Sequence, residues 1–90
     1  MNHEFKFEKL VLDCVAEKLQ TVKKWLGLQK DKNIILDFTN ISYIDSAGVA
    51  MLVELKRYVH FELKKNLNFK ISDQVMQMVK FYDLDGLLNE

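Results

Sequence analysis

Ninety residues allow one compact domain with a small core and leave no room for two. The 13 basic side chains balance 13 acidic ones, which argues against a surface built to neutralise nucleic-acid phosphates or anionic lipid headgroups and favours protein partners. The single Cys14 cannot close an internal disulfide, and no clustered histidines supply a metal site, so a reducing cytoplasm is the expected compartment.

Charges interrupt every apolar pair from Met1 to Glu8, so this segment does not read as a signal peptide, and no apolar run approaches the roughly 20 residues needed to span a bilayer. No linker, repeat or low-complexity segment divides the chain, and residues 1–90 are expected to form a single domain. Phe5 and Phe7 alternate with charged neighbours, and Leu10, Val11 and Leu12 follow, a pattern for one or two short edge strands. Asp13 is the expected cap of a first helix, with Val15, Leu19, Val22 and Leu26 on its buried stripe and Trp25 beside it. Lys18, Lys23 and Lys24 should face away, Cys14 should be a small core residue, and Gly27 suits the helix end.

After the polar loop Gln29-Lys30-Asp31-Lys32, the apolar stretch Ile34 to Phe38 suits a strand covered on both sides. A second helix is expected from Ala47 to about Lys65, with Asn66 as the break before a half-exposed strand carrying Leu67, Phe69 and Ile71. Ser72 can cap a third helix, with Asp73 in its first turn, a stripe of Val75, Met78, Val79 and Tyr82, and Gly86 at its end. Leu87 and Leu88 should tuck the tail back onto the fold. The alternation predicts an α/β domain: a mixed sheet of about four strands with three main helices packed on it.

The second helix carries more apolar residues than one buried face needs. Leu52, Leu55, Val59 and Leu63 form one stripe, while Ala47, Met51 and Tyr58, and separately Val49 and Val53, leave the first turns apolar nearly all round. Either neighbouring elements cover these extra strips, or Val49, Met51 and Val53 stay exposed beside Ser46 as the apolar centre of a partner site. Tyr43, Asp45, Ala47 and Gly48 would then complete that surface. Asp45 or Ser46 can cap the helix, a role that contributes on the order of 1 kcal/mol and accounts for either residue without any function. Phosphorylation of Ser46 would instead add about 1.5 to 2 negative charges beside Asp45 and close an apolar docking surface.

Catalytic chemistry finds no support here. No Gly-x-Ser-x-Gly elbow surrounds Ser46, His3 reads as a terminal residue, and His60 lies over three helical turns away, so a general base is missing. Asp83 and Asp85 are more simply turn formers than an acid/base pair, and neither a phosphate loop nor metal-ligand spacing appears. No catalytic residue, metal or cofactor is therefore expected.

The strand followed by Asp45-Ser46-Ala47-Gly48 and a long apolar helix resembles the STAS domain, named after sulfate transporters and anti-sigma factor antagonists. The segment Val75-Met76-Gln77-Met78-Val79-Lys80-Phe81-Tyr82-Asp83-Leu84 looks like the third helix of the MlaB subfamily, the small STAS subunits of a phospholipid-transport ABC complex at the Gram-negative inner membrane. That resemblance implies a non-catalytic cytoplasmic subunit, held at the membrane through its complex, that binds and supports the transporter's ATPase. It implies no membrane insertion and no nucleic acid. Serine at position 46, where that subfamily commonly carries threonine, is also what anti-sigma factor antagonists use. The alternative is thus an antagonist that binds an anti-sigma factor kinase and is switched at Ser46. A third reading is self-association, with Met51 and Val53 meeting their copies across a twofold axis.

Overall fold

The branched residues after Lys32 form strand β3 (Asn33–Phe38), as their pleat-filling side chains favour. In the computed structural model, which describes residues 2–4 and 9–82 and the backbone alone at 2–4 and 9, β3 is the middle strand of a three-stranded sheet. Strands β1 (Asn2–Glu4) and β5 (Asn66–Ile71) flank it, both parallel, with Leu36 in register with His3 and Phe69. A separate two-residue ladder joins β2 (Lys9–Leu10) to β4 (Tyr43–Ile44), again in parallel. The expected mixed sheet of about four strands is therefore corrected to three parallel strands and a detached parallel pair among the described residues. Parallel neighbours cannot be joined by a hairpin, and helices α1 (Leu12–Gly27) and α2 (Ser46–Arg57) lie in the crossovers on either side of β3. The expectations for Phe5, Phe7, Asp83, Asp85, Gly86, Leu87 and Leu88, and for the side chain of His3, lie outside the described residues.

Helix α1 begins one residue before the expected cap. Val11 occupies the capping position without a side-chain bond, and Asp13 sits inside the first turn, where its charge suits the helix dipole. Val22 and Leu26 are buried, and Val15, Leu19 and Trp25 pack half-buried against the core. Lys23 does not face away: its Nζ donates to Glu54 Oε2 on α2 at 3.1 Å and lies 4.9 Å from the Tyr58 ring centre. Cys14 is half-buried rather than a core residue. Gly27 closes the helix without a left-handed conformation, and Leu28 follows it as the cap residue with φ −92°.

The expected continuous second helix is interrupted. After Arg57 the backbone widens into a π-helical turn over Tyr58–Glu62, with Leu63 N–H donating to Tyr58 O at 3.2 Å. Lys64 then takes φ 56°, and Asn66 is the first residue of β5 instead of a break before it. Asn66 N–H donates to Lys32 O at 2.9 Å, which ties the start of β5 to the entry of β3. Helix α3 (Asp73–Phe81) is capped by Ser72, whose Oγ accepts from Val75 N–H at 3.3 Å and whose hydroxyl donates to Ile41 O at 3.4 Å. Val75 and Val79 are buried as the spacing predicts, whereas Tyr82 is exposed just beyond the helix end.

One core cluster runs from Leu10 through Leu26, Leu36, Phe38, Leu52, Leu55 and Val59 to Val79, with no buried polar or charged residue among those described. On β3 only one face is sealed. Ile34, Leu36 and Phe38 are buried, while Ile35 and Asp37 are half-buried, so the strand is not covered equally on both sides.

Candidate docking surface at the start of helix α2

The turn between β4 and α2 is organised by Asp45. One carboxylate oxygen, Oδ1, accepts from Gly48 N–H at 3.0 Å and caps α2; the other, Oδ2, accepts from Leu12 N–H at 3.0 Å and supplies the first turn of α1 with the partner that Val11 lacks. Asp45 N–H donates in turn to Leu10 O at 3.2 Å. A single residue thus joins β2 to the N-termini of two helices. Of the two candidate caps the structure selects Asp45, which leaves Ser46 as the first helical residue, exposed to solvent.

The amides of Leu12 and then Gly48 stabilise the Asp45 carboxylate and hold its pKa below the usual aspartate value. Asp37 is lowered by the hydroxyl and amide of Thr39, and Glu54 by its bond to Lys23. Each carboxyl therefore binds its proton more readily in the unfolded chain. Their contributions to stability are complete above the ordinary carboxyl range of about 4 and disappear as pH falls through the lower folded values. Urea midpoints measured at pH 7, 4 and 3 should fall with acidity, and Asp45→Asn should flatten part of that slope; an unchanged slope would show that Asp45 makes no ionic contribution.

Gly48 is required by close approach. A Cβ at this position would lie 2.1 Å from Leu10 O and 2.6 Å from Ile44 Cγ1, so the first turn of α2 rests directly on β2 and β4.

This packing corrects the expected surface. Val49 and Met51 are 1% and 2% exposed, and Gly48 is buried with them. Helix α2 packs against α1, β2, β4 and β5, and these neighbours cover the strips that sequence pattern left open. Met51 is equally unavailable to a second copy, which removes the expected twofold contact through it. Asp45, Ala47 and Val53 are half-buried, and Tyr43 and Ser46 are exposed. The open face of α2 is instead Ser46, Ala50 and Arg57, with half-buried Val53 on the same helical stripe.

Two large apolar side chains also stand out of the surface, Tyr43 at 71% and Leu12 at 74% exposure. The β2–β4 ladder and the Leu12–Asp45 bond bring them to the same end of the molecule as Ser46. Leu12 was absent from the expected surface because it follows Leu10 and Val11 in a run that reads as strand. The spacing of Ser46, Ala50 and Val53 was the signal available for the open stripe.

His60 is exposed near the far end of the same helical run, and no three His, Cys, Asp or Glu side chains among the described residues could hold a metal ion. No described helix is long and apolar enough to cross a membrane. The family model described as STAS domain matches residues 5–85.

Proposed function

We propose, for a chain that belongs to the STAS domain family, that it works by docking a partner protein on the face made by Leu12, Tyr43, Ser46 and Ala50. The observation that carries this reading is the pair of exposed apolar side chains at the same end of the molecule as an exposed serine, on a helix N-terminus pinned by Asp45. Aromatic residues that stand out of the surface on an ordered backbone are suited to anchor an interface, because their burial releases much apolar area at little cost in conformational entropy. The favoured partner is the ATPase subunit of an ABC phospholipid transporter, in keeping with the likeness of the third helix to the MlaB subfamily; the chain would then support lipid transport from the cytoplasmic side without chemistry of its own.

The exposure of Ser46 favours a second reading, an anti-sigma factor antagonist switched by phosphorylation there. Because Asp45 already accepts from the Gly48 and Leu12 amides, a phosphate on Ser46 would find those donors occupied and an anionic neighbour. Its charge would be directed to the docking face and would oppose burial against an apolar partner.

Affinity purification of the chain from its native cells separates the two. Recovery of an ABC ATPase supports the first reading, and recovery of an anti-sigma factor kinase, with one phosphate added to Ser46 on incubation with ATP, supports the second. In either complex Tyr43→Ala should weaken binding by about 30-fold, as the loss of a central aromatic anchor does, and Ser46→Glu should abolish capture while leaving the unfolding midpoint nearly unchanged. Recovery of neither partner class, or full binding by both variants, overturns the proposal.

A further inference from the structure

A concavity lies toward the other end of α2, where Arg57 is about 17 Å along the helix from Ser46. It is a groove of about 490 Å³, within the range of small-molecule sites. Val53, Phe61 and Leu67 give it an apolar wall, and Lys56, Arg57, His60 and Lys65 line it as well. No acidic residue lines the groove among the described residues.

We propose that this groove binds a small amphiphilic anion, a carboxylate carried on a short hydrocarbon chain. Two irregular backbone features shape it. The π-helical turn Tyr58–Glu62 supplies His60 and Phe61 to the lining, and such wide turns recur at functional sites. The left-handed Lys64 then reverses the chain so that Lys65, Asn66 and Leu67 return to the same groove.

Charge is fixed there as well. The Lys65 ammonium donates to the neutral carbonyl of Gln29, which holds the cation in place without cancelling it. Arg57 Nε lies 3.5 Å from Glu54 Oε1, but Glu54 also accepts from Lys23 at 3.1 Å, so a single carboxylate is shared between two cations. Cationic groups beside an apolar wall match a ligand with one charged end and one hydrocarbon end; a bare anion would leave the wall wet, and a neutral chain would make no use of the Arg57 and Lys65 charges.

The test is a titration of the isotopically labelled full chain with decanoate below its micelle-forming concentration, followed by backbone amide shifts. Saturable shifts at Val53, Arg57, Phe61 and Leu67 are expected, with Kd on the order of 1 mM or tighter for a ligand of this size. Decanol and acetate should each bind at least ten times more weakly. Arg57→Glu, at a side chain 68% exposed, should weaken decanoate at least tenfold and leave the remaining amide spectrum in place. Phe61→Ala should weaken it with the charge intact. Equal binding of decanol, equal binding of acetate, shifts mapping elsewhere, or indifference to Arg57→Glu would each overturn the proposal. None of these readouts requires the docked protein partner, so the groove and the docking face stand or fall separately.

Discussion

Alanine in place of Gly48 should destabilise the domain by about 1–3 kcal/mol, the usual cost of forcing a methyl into filled space. In an ordinary helix interior the same change would stabilise by about 1 kcal/mol, because alanine loses less backbone entropy than glycine. Here the new Cβ would fall 2.1 Å from Leu10 O, a backbone atom that cannot rotate aside, and 2.8 Å from Leu10 Cβ. The helix must therefore lift away from β2, and that shift strains the Asp45 bonds to Gly48 and Leu12. Partner capture should weaken along with stability. Gly27→Ala is the matched control: nothing lies within 4 Å of its Cβ and its φ is not positive, so it should gain up to about 1 kcal/mol. Urea unfolding of both variants checks the pair. Equal shifts of the same sign would mean that helix propensity, not close approach, governs position 48.

Phe38→Ala should cost about 3–5 kcal/mol, the range for truncating a fully buried aromatic side chain. Phe38 is 0% exposed at the end of the middle strand, and its ring stacks on Phe69 of the adjacent strand with centres 5.7 Å apart. Removing it empties space between β3 and β5 and leaves Phe69 without that ring contact. A domain of this length has about 5–13 kcal/mol in total, so the variant should lose a large share of its stability and melt at least about 12 °C lower. Ser46→Ala, on the exposed face of α2, should stay within about 0.5 kcal/mol of the parent. Calorimetry on these variants compares the two directly; a loss below about 1 kcal/mol for Phe38→Ala would contradict the packing around β3.

Much of the architecture was legible because local pattern and burial agree. The branched run after Lys32 became β3, Val22 and Leu26 became the buried side of α1, and Ser72 with Asp73 opened α3. The approach to α2 was legible in part: an apolar strand, a polar loop offering Asp45 or Ser46 as a cap, and an apolar helix follow one another in the chain, whereas the short strand β4 inside that loop did not show. Two kinds of feature were not legible. The π-helical turn at Tyr58–Glu62 arises where the helix must deliver the chain to β5 beside β3, a constraint carried by strand pairing and not by the helix's own residues. The parallel β2–β4 ladder depends on residues more than 30 positions apart in the chain, as its register of Lys9 with Tyr43 shows.

The sequence by itself determined that this is an α/β domain whose middle helix opens at Asp45 or Ser46, because capping and periodicity act over a few residues and can be read from them; the likeness to the STAS family rested on the Asp45-Ser46-Ala47-Gly48 motif. Only the tertiary structure decided which apolar residues of that helix reach solvent. Val49 and Met51 were hidden by α1 and the strands, while Leu12 and Tyr43 were left outside. Exposure is a property of what packs against a face, and a helix with apolar residues nearly all round does not carry in its own sequence which of its neighbours will arrive.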